Sequence, residues 1–228
     1  MVGKATVISM NVSVVIPTLN EENFIGICLE SLINQTIKPD EIIIVDALST
    51  DRTVEIAKRY TNKIIFSPVA NIAYQRELGV RVAKGEYILL ADADTVFPPY
   101  TIETMIENFK DPSVAAVTVD IAPLNPNPIT HINCWFRNLI TPNFTQRACC
   151  FMFKRSKVSD KDGFFSVNGE YISKLDIFPL RERLKGRIVK DTRITVLTDI
   201  PLEQQIQTIL LISIAGLTGY LLYKSLKS

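Results

Sequence analysis

Short apolar runs rich in β-branched residues alternate with helical patterns through the first half of the chain, and this alternation restricts the fold more than any other feature. The runs that predict strands are residues 12–16, 41–45, 63–66 and 87–91, and a helix is expected over about residues 71–83. Parallel neighbours in a sheet need a crossover connection between them, usually a helix. The pattern therefore predicts an α/β fold with a mostly parallel mixed sheet flanked by helices.

The length and charge of the chain set limits on its organisation and partners. Its 228 residues suit one domain of ordinary size, which we place at residues 1–200. With 25 basic and 24 acidic residues the net charge is +1, so no nucleic acid partner is predicted. The four cysteines show no C-x-x-C spacing, which argues against a structural zinc or a disulfide framework and favours a reducing compartment.

The last part of the chain, residues 201–228, differs in composition from the rest. Residues 206–223 are almost wholly apolar, and Lys224 and Lys227 follow them. A helix of roughly 18 to 20 such residues is long enough to cross a bilayer. We expect a C-terminal transmembrane helix, with a helix lying in the membrane interface or packed in the core as the alternatives.

Two features of the sequence give conflicting predictions of how the chain is oriented at the membrane. Residues 1–10 contain no secretory signal, so the domain is expected on the cytoplasmic face of a membrane. Lys224 and Lys227 lie beyond the apolar run, on the side that a tail anchor sends across, which opposes the positive-inside rule. An interfacial helix would remove that conflict.

Polar side chains follow three of the predicted strands at the point where each strand ends. Asn20 and Glu21 follow the first strand, Asp46 follows the second, and Asp92 and Asp94 follow the fourth. Ligands of open α/β sheets bind beyond the carboxyl ends of the strands. The sequence therefore predicts a binding site at that edge of the sheet.

The pair Asp92-Ala-Asp94 predicts a metal site within it. One small residue between two aspartates in an extended segment puts both carboxylates on one side, where they can share a hard divalent cation with a diphosphate. The same pattern also occurs by chance in solvated turns. Here it directly follows an apolar strand, which favours a cation site for Mg²⁺ or Mn²⁺.

Three stretches of the sequence resemble the family 2 glycosyltransferases of GT-A fold. These are residues 14–21 (VVIPTLNE), 44–51 (IVDALSTD) and 76–94, which ends in the Asp-x-Asp pair. The likeness extends from residue 12 to about residue 119 and thins afterwards. The second stretch departs from the family pattern, because Ala47 and Leu48 stand where an acid or a glycine is usual. The resemblance implies a Rossmann-like GT-A catalytic domain that takes a sugar from a nucleotide-sugar donor.

The resemblance also implies roles for single residues. Glu21 would accept hydrogen bonds from ribose hydroxyls, Asp46 would accept one from the imino group of uracil or guanine, and Arg76 would pair with the diphosphate. For Glu21 and Asp46 helix capping is the competing interpretation, and Asn20 also suits a helix N-cap. For Arg76 the alternative is an exposed helix arginine. The donor-binding set is Pro17, Thr18, Asn20, Glu21, Asp46, Arg76 and Asp92, and the metal pair is Asp92 and Asp94.

The catalytic base is predicted from a weaker likeness. Family members that glycosylate a hydroxyl carry an acidic pair after a glycine-aromatic motif, and the comparable stretch here is residues 163–171. Glu170 aligns with one acid of that pair, and Tyr171 stands at the second position. Because an inverting transfer needs a carboxylate near the attacking hydroxyl, Glu170 is the candidate base, with Asp176 and Asp162 in reserve. A surface acid on a loop is the alternative for each.

The incomplete acidic pair and the apolar C-terminus together suggest the acceptor. A polyprenyl phosphate is already an anion and needs no strong base, and dolichyl-phosphate sugar synthases use such an acceptor. We therefore expect metal-dependent transfer from a UDP- or GDP-sugar, with inversion, to a polyprenyl phosphate or a lipid-linked glycan. The alternative is a non-catalytic, membrane-anchored protein that binds nucleotide sugars.

Residues 120–146 carry four prolines and scattered aromatic residues, which predicts a loop region that covers a site or admits a second substrate, the acceptor. Trp135 lies in this region. It suits either stacking on a sugar ring or packing of the loop onto the core, and the sequence leaves both open.

Overall fold

The computed structural model describes residues 11–140, 149–159, 163–166, 170–171, 178–200, 202 and 205. Within them the strands are β1 (Val12–Thr18), β2 (Glu41–Asp46), β3 (Ile64–Phe66), β4 (Tyr87–Ala91), β5 (Thr95–Val96), β6 (Val114–Pro123), β7 (Cys150–Lys154) and β8 (Arg187–Thr198). The helices are α1 (Ile25–Ile33), α2 (Thr53–Ala57), α3 (Ile72–Val82), α4 (Thr101–Asn108), α5 (Pro128–Ile140) and α6 (Phe178–Arg183).

All the strands form one mixed sheet in the order β3-β2-β1-β4-β7-β6-β8-β5. β1 pairs in parallel with β2 and β4, and β2 pairs in parallel with β3. β7 runs antiparallel to both of its neighbours, while β6 and β8 are parallel to each other. The predicted α/β fold with a mostly parallel mixed sheet is confirmed.

The sheet is covered on both faces, because its central strands are apolar on both sides. In β1 the side chains of Val14 and Ile16 join one hydrophobic cluster and that of Val15 joins the other. Helices α1 and α4 contribute to the first cluster, and α3 and α6 contribute to the second. This alternation is the period-2 geometry of a strand buried between two layers.

The predicted N-cap at Asn20 is wrong. Helix α1 begins at Ile25, and its N-cap position is Phe24, which makes no side-chain capping bond. Asn20 instead has φ 56°, in the left-handed region that Asn tolerates. Its Oδ1 accepts a hydrogen bond from the Thr50 amide at 2.8 Å. The residue therefore ties the turn after β1 to the turn after β2.

The predicted loop over residues 120–146 is also wrong for its described part, since β6 runs to Pro123 and α5 follows. Asn127 caps this helix, because its Oδ1 accepts from the amides of Ile129 and Thr130, each at 2.9 Å. Pro128 occupies the first helical turn, where a missing N–H costs nothing. The proline that suggested a loop is thus part of a helix start. Trp135 lies on α5 with 63% of its surface exposed.

No helix within the described part of the chain is long and apolar enough to cross a membrane. Of the predicted anchor, residues 201–228, the structure describes only Leu202 and Gln205. The apolar run 206–223 lies outside the described residues.

Two helical glycines provide a matched test of this packing. A Cβ at Gly79 of α3 would overlap Cγ1 of Val15 and approach Cγ2 of Val45 to 3.1 Å, whereas at Gly26 of α1 its nearest atom is Cγ2 of Ile56 at 3.6 Å. We expect Gly79→Ala to lower the free energy of unfolding by about 1–3 kcal/mol through overpacking. Gly26→Ala should raise it by up to about 1 kcal/mol through helix propensity. Denaturant unfolding measures both, and equal effects would contradict the close contact of α3 with the sheet.

Candidate active site

The carboxyl ends of β1 and β2 meet at the edge where the sequence predicts a site. Pairing in register sets Pro17 opposite Val45 and Thr18 opposite Asp46. The Thr18 hydroxyl donates to Asp46 Oδ1 at 2.9 Å. Asp92 follows β4, which pairs with the other side of β1. The three strand ends therefore present their polar residues side by side, as predicted.

Asp46 is wholly buried and organises the turn after β2. Its Oδ2 accepts from the Ser49 amide at 2.8 Å, and its Oδ1 accepts from the Ser49 hydroxyl at 2.5 Å. Leu48 in this turn has φ 58° and is exposed. The carboxylate thus fixes the shape of the turn, and its predicted contact with a nucleobase stays a prediction.

The turn after β1 is held by the turn after β2. The Asn20 amide donates to the Ser49 hydroxyl at 2.9 Å, and the Glu21 amide donates to the Thr53 hydroxyl at 2.7 Å. The Glu21 carboxylate makes no hydrogen bond to any described residue and is half-buried. It is therefore open to a ligand at this edge of the sheet.

Helix α3 fixes the first aspartate of the predicted metal pair. Arg76 is wholly buried and its Nη2 donates to Asp92 Oδ1 at 2.6 Å, while 24% of the Asp92 side chain stays exposed. The interpretation of Arg76 as an exposed helix arginine is therefore wrong. In this structure its guanidinium positions Asp92, and its pairing with a diphosphate stays a prediction.

Gln75, which the sequence did not single out, joins the same helix to the ends of β1 and β2. Its Nε2 donates to the carbonyl oxygens of Thr18 at 3.0 Å and Val45 at 2.7 Å. These are buried backbone groups at the strand ends, which need partners once the sheet pairing stops. No motif marks this residue, because its role depends on where α3 packs.

The carboxylates at this edge repel one another. Burial and then the charge of Asp92 raise the pKa of Asp94 to about 7, with Glu21 and Asp199 adding to the effect. Burial and then Asp92, Asp51 and Asp199 raise the pKa of Glu21 to about 7. Such shifts arise where desolvation and like charges act together. The structure thus brings Glu21, Asp92 and Asp94 into one negatively charged cluster.

Asp199 completes this cluster and was missed at the level of sequence. Its amide donates to the Asp94 carbonyl at 3.3 Å, and its Oδ1 accepts from Asn125 Nδ2 at 3.3 Å. It directly follows β8, whose Thr198 pairs with Thr95 of β5. The available signal was an acid at a strand end, the same criterion that identified the other residues.

The residues present fit a divalent cation. Carboxylate oxygens are hard ligands, and the mutual repulsion of these carboxylates is the kind that a cation relieves. No group of three or more His, Cys, Asp or Glu side chains among the described residues is arranged to hold a metal alone. Two aspartates leave most of the coordination sphere of Mg²⁺ or Mn²⁺ open, which suits an ion whose other ligands are diphosphate oxygens and water.

The residue after the candidate base lies against the start of α3. Glu170 is exposed, and the carbonyl of the next residue, Tyr171, accepts from Asn71 Nδ2 at 2.9 Å. The Tyr171 ring also contacts Tyr74 edge-on, with centroids 5.0 Å apart. Asn71 caps α3 through its bond from the Tyr74 amide. The reserve candidates, Asp162 and Asp176, lie outside the described residues.

Comparison with known proteins shows the family of the chain. The family described as glycosyl transferase family 2 matches residues 13–167, which is more than half of the chain. Poly(ribitol-phosphate) beta-glucosyltransferase of Bacillus spizizenii is 40% identical over 94 residues, which are 37% of this chain and 15% of that protein. The match thus covers a small part of that relative's length.

Solved structures share the fold at low sequence identity. S. aureus TarS 1-349 in complex with UDP superposes with a TM-score of 0.64 at 19% identity, covering 90% of this chain and 65% of that one. Glucosyl-3-phosphoglycerate synthase from Mycobacterium tuberculosis, in complex with Mn²⁺, UDP and phosphoglyceric acid, gives a TM-score of 0.62 at 16% identity, covering 88% and 76%. The expected GT-A fold is confirmed by these transferases.

The carboxylate cluster should reduce the stability of the metal-free chain. Because the pKa of Asp94 rises from 3.8 to about 7 on folding, the folded chain keeps a proton that the unfolded chain releases. Stability is therefore lost as the pH rises from about 4 to about 7. We expect Asp94→Asn to raise the free energy of unfolding by about 1–3 kcal/mol at pH 8, and by almost nothing near pH 4.

Thermal unfolding in EDTA at several pH values measures this difference. Asp111→Asn is the matched control, because hydrogen bonds from Ser113 and the Arg187 charge hold the pKa of that exposed carboxyl below its usual range. The control should leave stability unchanged or lower it slightly at pH 8. A pH-independent effect of Asp94→Asn would contradict the repulsion within the cluster.

Proposed function

The chain belongs to glycosyl transferase family 2, and we propose that it transfers a sugar from a UDP-sugar to a membrane-associated acceptor with the help of Mg²⁺ or Mn²⁺. The observation that carries the proposal is the carboxylate cluster of Glu21, Asp92, Asp94 and Asp199 at the ends of β1, β4 and β8. A site with this charge suits a cation and the donor diphosphate together.

Three groups of this chain would bind the donor. Glu21, whose carboxylate is open to a ligand, would accept hydrogen bonds from the ribose hydroxyls. The turn organised by Asp46 would lie against the nucleobase of the donor. Asp92, held by Arg76, would face the ribose and the metal. UDP rather than GDP is favoured, because the similar structures of TarS and glucosyl-3-phosphoglycerate synthase are complexes with UDP.

Asp92 and Asp94 would hold the cation, which when bound neutralises the charge that develops on the leaving diphosphate. Burial and the charge of Asp92 raise the pKa of Asp94 to about 7, so a proton and a cation would compete for this carboxylate.

Glu170 is the proposed base for a hydroxyl acceptor, with inversion at the anomeric carbon. It is exposed and lies next to Tyr171, which α3 holds in place, so an incoming acceptor can reach it. A carboxylate within hydrogen-bond distance of the hydroxyl removes its proton as the new bond forms. A phosphate acceptor is already ionised and needs no such step.

The proposed acceptor is a polyprenyl phosphate or a lipid-linked glycan. The support is the sequence of residues 206–223, which is apolar and long enough to reach into a bilayer. It would bring the domain to the membrane, and we place that domain on the cytoplasmic face, where nucleotide sugars are the donors.

The test is transfer of labelled sugar from a panel of UDP- and GDP-sugars into membrane lipid extract, with Mn²⁺ or with EDTA. We expect Mn²⁺-dependent label from a UDP-sugar in the lipid fraction. Asp94→Ala should lower this transfer by at least about 100-fold, because it removes a cation ligand. Asp111→Ala, which removes an exposed carboxylate paired with Arg187, should leave it within about twofold.

Each result decides one part of the proposal. Label from GDP-sugars alone would overturn the donor assignment, and label in a soluble glycan but not in lipid would overturn the acceptor. Full activity of Asp94→Ala would remove the metal role from this aspartate. No label from any donor with any acceptor would contradict the proposed reaction.

A further inference from the structure

Glu77, next to Arg76 on α3, is a buried carboxylate that the donor site does not use. Only 1% of its surface is exposed. Its Oε2 accepts from the amides of Phe164 at 2.6 Å and Phe165 at 3.0 Å. Its Oε1 lies 2.7 Å from Nε of Arg81, whose side chain is 58% exposed. Burying a carboxylate is costly, so its partners indicate what it holds.

What Glu77 holds is the turn that opens the candidate acceptor segment, residues 163–171. Gly163 has φ 81°, and a Cβ there would lie 3.1 Å from Glu77 Oε1 and 3.2 Å from Oε2. A side chain at this position would strain the backbone and would press against the carboxylate. The turn therefore packs closely on Glu77.

The other end of the segment is attached to the same helix. Asn71 Nδ2 donates to the Tyr171 carbonyl, and the Tyr74 ring contacts the Tyr171 ring. Glu170 lies directly before this anchor point. Asn71, the N-cap of α3, and Glu77, a little under two turns further along the helix, thus hold the described parts of this segment, residues 170–171 and 163–166.

The consecutive residues Arg76 and Glu77 therefore serve different parts of the molecule. Arg76 donates to Asp92 on the donor side, whereas Glu77 accepts from Phe164 and Phe165 on the other side. Both phenylalanines are buried in the cluster between α3 and α6. Successive helix residues project about 100° apart, so one helix can reach two separate elements.

We propose that Glu77 is a positioning residue for the acceptor: its bonds to Phe164 and Phe165 hold the turn at residues 163–166 on α3, the helix whose N-cap also holds Tyr171. Together these contacts determine where Glu170 meets the acceptor. The inference rests on the proposed function for the identity of that segment. It predicts that loss of the Glu77 charge impairs acceptor use and leaves donor binding intact.

The test compares Glu77→Gln with three other variants of α3. Glu77→Gln keeps the shape but weakens the two bonds, because an amide oxygen is a poorer acceptor than a carboxylate. Asn71→Asp keeps the N-cap but loses the donor to Tyr171. Arg81→Gln removes the exposed ion pair with Glu77 but keeps the Glu77 carboxylate. Arg76→Lys perturbs the contact with Asp92 in the proposed donor site.

Two quantities are measured for each variant: the Kd for UDP with Mn²⁺ by calorimetry, and the KM and kcat for transfer to a polyprenyl phosphate in detergent micelles. We expect Glu77→Gln and Asn71→Asp to lower kcat/KM for the acceptor at least about fivefold and to leave the Kd for UDP within about twofold. Arg76→Lys should weaken UDP binding, and Arg81→Gln should change neither quantity.

Equal losses of UDP binding and of transfer in Glu77→Gln would overturn the inference. A purely structural role of Glu77 would disturb the donor site and the acceptor segment alike. An unchanged kcat/KM for the acceptor would overturn it as well. If the wild-type chain transfers no sugar, the proposed function fails, but the role of Glu77 in the turn can still be tested. Amide hydrogen exchange of Glu77→Gln is then compared with that of the wild type. Unchanged exchange at Phe164 and Phe165 in Glu77→Gln would show that the carboxylate does not set the turn.

Discussion

The buried ion pair of Arg76 and Asp92 is the interaction on which the arrangement of the site depends. An arginine with none of its surface exposed is unfavourable without a charged partner, and its partner here is the carboxylate at the end of the central strand β4. Because Arg76 lies on α3, the pair also fixes that helix relative to the sheet. The packing of the helix and the position of Asp92 are therefore one structural feature.

Helix α3 can hold Asp92 in position because of its amino-acid composition as well as its location against the sheet. Its sheet-facing side includes Ala73, Gly79 and Val80, which allow close approach to β1 and β2. Polar residues are buried on it as well: Gln75 donates to the carbonyls of Thr18 and Val45, and Glu77 accepts from the amide of Phe164. Buried polar groups that have hydrogen-bond partners hold a structure more specifically than apolar packing alone. The helix thus fixes Asp92, the ends of β1 and β2, and the turn at Phe164 relative to one another.

Much of the fold was predictable from sequence, since each βαβ unit carries its own local pattern and the strand-end acids mark the edge of the site. The failures have physical causes. Pro128 suggested a loop because the sequence alone does not show that Asn127 caps a helix there. Asp199 was missed because the pairing of β8 with β5 joins distant parts of the chain. The burial of Arg76 depends on the same kind of long-range contact, which residue spacing does not encode.

The acidic cluster shows how the fold and its ligand depend on each other. Four carboxylates converge because the strands that precede them end at one edge of the sheet. In the folded chain these carboxylates repel one another, which raises the pKa of Asp94 and of Glu21. Residues placed against local stability are expected at functional sites, since a ligand that relieves the strain gains the corresponding affinity. A cation bound with the donor diphosphate would stabilise the folded chain in proportion to that gain. The repulsion among these four carboxylates would therefore favour the binding of a cation at this edge of the sheet.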